Sequence, residues 1–165
     1  MICEMNTEID ATSQASTGYL WFLNSLIRIR LAASAGKDAI TIIEHRVPRG
    51  DSPPLHSHRR EDEIFYILEG DFLFQVNQTQ QRGGPGDTLL VPQGTPHTYR
   101  VDSQEARYLT VTRGGDFEKF VRAFARPAER TALPPPAAPP LPEALAEFAK
   151  IAASCGIDLC GPPLQ

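Results

Sequence analysis

The sequence predicts an all-β fold, a barrel or sandwich of short strands, for residues 19–113. Two observations lead to this prediction. Short segments rich in Ile, Val, Leu, Phe, Tyr and Thr alternate with turns that contain Gly, Pro or Asp. The gaps between these segments are too short for the helical crossovers that parallel strands require.

The predicted strands are the apolar segments themselves, and the turn residues set their boundaries. They lie near 20–31, 39–47, 54–58, 63–69, 71–77, 87–91, 96–101 and 105–113. Glu69-Gly70-Asp71 is expected to form a tight hairpin turn between two of them.

A C-terminal extension, residues 114–165, is expected to contain two helices. The first has Asp116 as its N-cap and stops before Pro127. Its apolar face comprises Phe117, Phe120, Val121 and Phe124. A polyproline II segment at 133–142 leads to the second helix, which follows Pro142 and ends before Gly156. The apolar face of the second helix comprises Leu145, Phe148, Ala152 and Cys155.

Composition and charge exclude several classes of protein. With 165 residues and 18.2 kDa the chain suits one domain, and its net charge of −4 argues against nucleic acid or an anionic membrane as a partner. Residues 1–18 are expected to be a flexible tail without the apolar region of a secretory signal. Tyr19–Leu31 carries too many polar and charged residues to span a membrane. These features predict a cytoplasmic protein in which Cys3, Cys155 and Cys160 are free thiols.

Three of the four histidines lie in two short segments rich in turn residues. His56 and His58 are two positions apart, so on a strand their imidazoles point to the same side. Two imidazoles on one face form half of a site for a transition-metal ion. A third imidazole would come from His97, which follows a tight turn, or from His45.

A carboxylate completes this candidate set of ligands. Glu63 begins a segment of alternating polarity in which it shares a face with Phe65 and Ile67. A carboxylate on an apolar face is costly unless it is paired or binds a metal ion. Glu63 is therefore favoured over Glu61 and Asp62, which are interpreted as charges at the rim.

The arrangement of these residues resembles the two signature motifs of the cupin superfamily, over residues 19–113. The first motif is matched by Gly50-x5-His56-x-His58-x4-Glu63-x6-Gly70. The second motif is matched by Gly86-x5-Pro92-x-Gly94-x2-His97. Val101 stands where the second motif often has Asn, a position that is not usually a metal ligand. The C-terminal extension is similar to that of single-domain cupins described as quercetin 2,3-dioxygenase-like.

The resemblance implies a double-stranded β-helix, or jelly-roll, barrel with one divalent transition-metal ion inside its mouth. It implies His56, His58, Glu63 and His97 as the ligands, with Fe or Mn as the expected ion and Ni, Co, Zn or Cu as alternatives. It also implies a homodimer, for which the apolar strand Tyr19–Ile27 and the phenylalanine-bearing helix are the candidate interface elements.

The substrate pocket is predicted from the alternation of side chains along the strands. The residues that share a face with Glu63 or His97, or lie on the apolar face of the next strand, are Phe65, Ile67, Phe74, Tyr99 and Val101. Such a pocket is mostly apolar and suits a small aromatic molecule. His45 is interpreted as a residue of the barrel wall without a catalytic role.

Three functions are compatible with these residues. The favoured one is a dioxygenase that acts on a small aromatic, phenolic or enolic substrate, with Glu63 as the base towards a substrate hydroxyl. The first alternative is a non-redox metal enzyme, an isomerase or lyase for a sugar or an organic acid, which would need more cationic residues in the barrel. The second alternative is a domain that binds a small molecule without catalysis.

Overall fold

The structure, a computed structural model, describes residues 18–136 and 141–165. Residues 1–17 of the predicted tail and residues 137–140 of the predicted polyproline segment lie outside the described residues. Two antiparallel sheets pack against each other and enclose a hydrophobic cluster. The predicted all-β, jelly-roll architecture is confirmed.

The larger sheet has seven strands, which are numbered along the chain. Their spatial order is β11 (Arg126–Pro127), β1 (Tyr19–Phe22), β2 (Ser25–Leu31), β3 (Ile40–Pro48), β10 (Glu105–Arg113), β5 (Glu63–Glu69) and β8 (Thr88–Val91). The order in the smaller sheet is β12 (Ile157–Pro163), β4 (Pro54–His58), β9 (His97–Val101), β6 (Phe72–Val76) and β7 (Thr79–Gly83). The extension contains the helices α1 (Asp116–Phe124) and α2 (Pro142–Ser154).

The structure differs from the predicted strands where the apolar pattern is weakest. The segment expected as one strand at 20–31 is the hairpin of β1 and β2, which turns at Leu23 with a φ of 53°. The strands β7, β11 and β12 are absent from the prediction because β7 is polar on both faces, β11 has two residues and β12 contains Gly and Pro. The turn at Glu69–Asp71 joins β5 to β6 in the other sheet, so it does not close a hairpin.

Glu61, predicted to be a charge at the rim, is buried with 2% of its surface exposed. Its Oε1 accepts a hydrogen bond from the backbone N–H of Asp116 and its Oε2 accepts one from Phe117, each over 2.8 Å. Asp116 is therefore the first residue of α1 and not its N-cap, since Gly115 occupies the cap position and Glu61 binds the free N–H groups. Gly114 lets the carboxylate of Glu61 lie this close to the start of α1, because a Cβ atom at position 114 would lie 3.0 Å from Oε1 of Glu61.

Two hydrophobic clusters stabilise the fold. The first fills the space between the sheets and contains Val47, Phe65, Ile67, Phe72, Phe74, Val91, Tyr99, Val101, Ala106 and Tyr108. The second joins the barrel to the extension and contains Phe22, Ile27, Ile43, Phe117, Phe120, Val121, Ala152, Cys155 and Ile157. The predicted apolar face of α2 is confirmed for Ala152 and Cys155, whereas Leu145 is 53% exposed.

The elements expected at a dimer interface are largely covered by the chain itself. Trp21, Phe22, Leu26 and Ile27 in the first hairpin are buried. The strand β11 pairs with the outer edge of β1, and the phenylalanines of α1 pack against the barrel and α2. The apolar side chains of these elements are therefore buried by other parts of the same chain.

Cys155 and Cys160 are free thiols, as predicted, and Cys3 lies outside the described residues. In residues 18–136 and 141–165, no helix has both the length and the apolar character needed to cross a membrane.

Candidate metal centre and ligand cavity

The four predicted metal ligands meet at one point of the structure. His56 and His58 lie on β4, and His56 is paired in register with His97 of β9. Glu63 is the first residue of β5, in the other sheet. One donor atom from each residue, an imidazole nitrogen or a carboxylate oxygen, lies within 4.8 Å of the others. These four residues are called the candidate metal centre.

Backbone carbonyl groups orient two of the imidazoles. Nδ1 of His56 donates a hydrogen bond to the carbonyl oxygen of Pro54 over 2.8 Å, and Nδ1 of His97 donates one to Thr95 over 2.9 Å. Because a carbonyl group only accepts, Nδ1 carries a proton in both rings. Nε2 of His97 lies 2.9 Å from Oε2 of Glu63, whereas Nε2 of His56 keeps its lone pair for another partner. Hydrogen bonds of this kind fix the tautomer and the ring orientation of metal-binding histidines.

The surroundings of His58 indicate whether a metal ion fits the candidate metal centre. Its imidazole is 3% exposed, and within the described part of the chain neither ring nitrogen makes a hydrogen bond of good geometry. Nε2 lies 3.2 Å from Oε2 of Glu63, and Nδ1 lies 3.7 Å from Oε2 of Glu61. A metal ion at Nε2 would give this buried ring the well-formed contact that it lacks. Three imidazoles and one carboxylate also form a donor set suited to divalent transition metals, so the residues fit such an ion.

The charges of these residues are strongly coupled. Burial raises the pKa of Glu63, but His58 and His97 outweigh burial and hold this pKa well below its usual range. Burial lowers the pKa of His58, but Glu63 and Glu61 outweigh burial and raise this pKa to about 9. For His56, burial and the neighbouring His97 dominate and lower the pKa to about 3. An ionised Glu63 and a neutral His56 are the forms that bind a metal ion.

A cavity of about 260 Å³ lies beside the candidate metal centre and is lined by His56 and Glu63. Two of the predicted pocket residues, Phe65 and Tyr99, line this cavity. The other three, which are buried in the cluster between the sheets and do not line it, are Ile67, Phe74 and Val101. Alternation identifies the inward face of each strand, but it does not show which part of the barrel is filled by side chains.

The extension contributes much of the cavity wall. Phe117 and Phe120 of α1, Phe148 of α2, and Ile157 and Leu159 of β12 all line the cavity. These residues lie outside the predicted barrel, so the barrel pattern alone does not identify them. Together with the barrel aromatics they make the cavity predominantly apolar and aromatic.

A chain of three hydrogen-bonded side chains also lies in the cavity wall. The hydroxyl of Tyr99 donates to Oδ2 of Asp51 over 2.7 Å and lies 2.7 Å from the hydroxyl of Tyr108. Burial raises the pKa of both tyrosines well above the usual value, and the charge of Asp51 raises it further. Burial also raises the pKa of Asp51, although the hydrogen bond from Tyr99 opposes this. The tyrosines are therefore neutral hydroxyl groups at physiological pH.

His45, predicted as a wall residue without a catalytic role, lines the cavity as well. It is 3% exposed, and its Nε2 lies 3.1 Å from Oγ1 of Thr110. Burial lowers the pKa of His45 to about 4, although the charge of Glu63 opposes this. The signal that identifies His45 as inward-facing is the alternation along β3, whose buried members are Thr41, Ile43, His45 and Val47.

Comparison with known proteins agrees with this fold. A family model described as Cupin domain matches residues 43–112. The chain is 33% identical over 106 residues to quercetin 2,3-dioxygenase of Bacillus subtilis, a match that covers 64% of this chain and 32% of the relative. It is 36% identical over 69 residues to dimethylsulfoniopropionate lyase DddQ of Ruegeria pomeroyi, which covers 41% of this chain and 34% of the relative. The matches thus span about a third of the length of these curated relatives.

Solved structures show the same architecture. The structure of KdgF from Halomonas sp. superposes with a TM-score of 0.50 at 21% identity, over 55% of this chain and 78% of that chain. Similarity at this level of identity concerns the fold alone. Residues 43–112 thus match the Cupin domain family, and the two-sheet barrel has the fold of these solved structures.

Proposed function

We propose that this protein is a metal-dependent dioxygenase that acts on a small aromatic, phenolic or enolic substrate. The observation that carries the proposal is the convergence of three imidazoles and one carboxylate beside an aromatic cavity, which His56 and Glu63 line. Similarity to quercetin 2,3-dioxygenase of Bacillus subtilis supports the choice of reaction. In an oxidative ring cleavage the substrate itself supplies the electrons that reduce O₂, and both oxygen atoms enter the products, so such a reaction needs no external reductant.

His56, His58, Glu63 and His97 would hold the metal ion, and we propose Fe or Mn as the native metal, with Ni, Co, Zn or Cu as alternatives. Such an ion supplies a Lewis acid and, for Fe or Mn, a redox-active centre. The backbone hydrogen bonds of His56 and His97 keep these rings in one tautomer and one orientation.

Glu63 is the proposed catalytic base. It lines the cavity together with His56, and its neighbours His58 and His97 keep its carboxylate ionised. A carboxylate in this position accepts the proton of a substrate hydroxyl as that oxygen approaches the candidate metal centre. The aromatic walls formed by Phe65, Phe117 and other residues bind the body of the substrate and exclude water.

A lyase or isomerase is the second candidate, and similarity to the lyase of Ruegeria pomeroyi favours it. Metal sites for anionic sugars or organic acids need cationic side chains to hold the substrate charge. The described residues that line this cavity include neither Lys nor Arg. This lining favours an aromatic substrate over an anionic one.

Metal analysis of the purified protein tests the site. We expect one divalent metal ion per chain in the wild type and almost none in the double variant His56→Ala/His58→Ala. A matched control, Arg60→Ala, removes an exposed residue within the motif that is not a proposed ligand, and it should retain the metal. Full occupancy in the double variant would exclude these residues as the ligands.

Oxygen consumption tests the reaction. The metal-free protein is loaded with Fe²⁺, Mn²⁺, Ni²⁺, Co²⁺, Zn²⁺ or Cu²⁺ and supplied with flavonols, catechols and enols. We expect uptake of O₂ with at least one redox-active metal, and loss of that uptake in Glu63→Gln. The absence of uptake with every metal and substrate, together with retained metal binding, would favour the lyase or isomerase.

The homodimer remains a proposal, as does a location in the cytoplasm. The edge strand β8 exposes Leu90, and an exposed strand edge next to an apolar side chain favours pairing with a second copy. Free Cys155 and Cys160 suit a reducing compartment. Light scattering after size-exclusion chromatography tests the first proposal, and cell fractionation tests the second.

A further inference from the structure

The imidazole of His45 lies in the ligand cavity but does not belong to the candidate metal centre. Its side chain is on the inward face of β3 and is 3% exposed. The donor atoms that lie within 4.8 Å of one another come from the other three histidines and Glu63. The cavity wall therefore contains a histidine that the metal centre does not use.

The packing of the His45 ring does not require its nitrogen atoms. The ring stacks on Tyr108 with centroids 4.7 Å apart and an interplanar angle of 6°, and it lies 6.3 Å from the ring of Phe117. A phenyl ring fills the same space without the cost of burying polar atoms. Nε2 is bound by Thr110, whereas Nδ1 has no hydrogen-bond partner in residues 18–136 and 141–165. Nδ1 is thus available to a ligand.

The hydroxyl of Tyr108 provides a second polar atom in the same part of the wall. Tyr99 gives its single proton to Oδ2 of Asp51, so the bond between the two tyrosines has Tyr108 as its donor. The phenolic oxygen of Tyr108 keeps lone pairs that can accept a hydrogen bond. An imidazole nitrogen and a phenolic oxygen therefore lie on stacked rings at the cavity wall.

We propose that His45 is a substrate-binding residue that, together with Tyr108, hydrogen-bonds a second oxygen atom of an aromatic substrate. The first oxygen is the one that approaches the candidate metal centre, so the inference rests on the proposed function. It defines the substrate class more narrowly, as an aromatic compound with oxygen substituents at two separate positions. A compound with oxygen only at the metal end would leave the buried polar groups of His45 and Tyr108 unpaired.

Binding of matched ligands to Zn²⁺-loaded protein without oxygen tests this inference. The probes are quercetin and 3-hydroxyflavone, which share the adjacent 3-hydroxyl and 4-carbonyl groups, whereas only quercetin carries further hydroxyl groups. We expect the wild type to bind quercetin about tenfold more tightly, as measured by calorimetry. In His45→Phe, which keeps a stacked ring, the ratio of the Kd of 3-hydroxyflavone to that of quercetin should fall to about one. The Kd of 3-hydroxyflavone should stay within about twofold of its wild-type value.

Tyr108→Phe is a second variant that tests the same inference if His45→Phe does not fold, and it should lower the same ratio. Zn²⁺ content is measured in every variant and should remain one ion per chain, because neither residue is a ligand. An unchanged quercetin preference in both variants, or loss of the metal from His45→Phe, would overturn the role of His45. If neither flavonol binds to metal-loaded wild type, the aromatic substrate class itself is wrong, and both proposals fail.

Discussion

Oε2 of Glu61 lies 3.7 Å from Nδ1 of His58, in a part of the protein where both side chains are almost completely buried. The same carboxylate accepts hydrogen bonds from the backbone of Asp116 and Phe117. One side chain thus connects a proposed metal ligand on β4 with the first turn of α1. Since α1 supplies Phe117 and Phe120 to the cavity, the position of the cavity wall and that of His58 depend on the same residue.

Substitution of Glu61 should destabilise the protein substantially. In Glu61→Ala, two buried N–H groups at the start of α1 lose a charged acceptor, and we expect the free energy of unfolding to fall by about 2–4 kcal/mol. Urea unfolding of the metal-free protein measures this change. Glu143→Ala, at an exposed position near the start of α2, is the control and should change stability by less than about 0.5 kcal/mol. Equal stabilities of the two variants would contradict the capping role.

The hydroxyl of Tyr99 should contribute more to stability than an ordinary tyrosine hydroxyl. Tyr99→Phe removes the central group of the chain from Asp51 to Tyr108 and leaves both neighbours without this partner. We expect a loss of about 1–3 kcal/mol in the free energy of unfolding. Tyr66→Phe makes the same chemical change on an exposed ring and should have almost no effect. A loss of the same size in Tyr66→Phe would show that the network contributes nothing specific.

The C-terminal strand should be part of the cooperative fold. Ile157 is 3% exposed, and its Cα is paired in register with His58 across β12 and β4. Ile157→Ala should cost about 2–4 kcal/mol, because it leaves a cavity in the cluster that joins the extension to the barrel. Leu145→Ala, where the side chain is 53% exposed, should cost less than about 0.5 kcal/mol. Thermal or urea unfolding distinguishes the two, and a small effect at Ile157 would show that the extension is only loosely attached.

Local patterns predict one part of this molecule and long-range packing determines the rest. The period of two along the strands is enough to put His56 and His58 on one side and Glu63 on an inward face. The burial of Glu61 depends on its hydrogen bonds with Asp116 and Phe117. These residues are distant in the sequence, so the residues around Glu61 do not predict the contact.

The lining of the cavity is likewise predicted only in part by the local pattern, and long-range packing determines the rest. Alternation assigns Phe74 to the inward face, but the cluster between the sheets fills the space around it. The open part of the barrel is instead bounded by residues of the extension, such as Phe148 and Leu159. Leu159 reaches the cavity through the pairing of β12 with β4, and the Gly and Pro residues of β12 obscure this strand in the sequence. Phe148 reaches it through the packing of α2 on Phe120 of α1.

His45 should make the metal-free protein sensitive to acid. Burial lowers its pKa to about 4 in the folded state, against about 6.5 in the unfolded chain. Between these values the unfolded chain binds a proton that the folded chain does not, so stability falls as the pH falls from 6.5 to 4. The contribution of one such group is at most about 1.4 kcal/mol per pH unit, or about 3 kcal/mol over the whole window.

His45→Phe should therefore flatten the pH dependence of stability. Urea unfolding at pH 7, 6, 5 and 4.5 in the presence of a chelator measures the slope for the wild type and the variant. We expect the wild-type curve to be steeper below pH 6.5 and the two curves to run parallel above it, where His45 is neutral in both states. His56 and Glu63 titrate in both proteins, so their contributions cancel in the difference. Parallel curves over the entire range would mean that His45 gains its proton as readily in the folded protein as in the unfolded chain, and that its burial in the cavity wall is wrong.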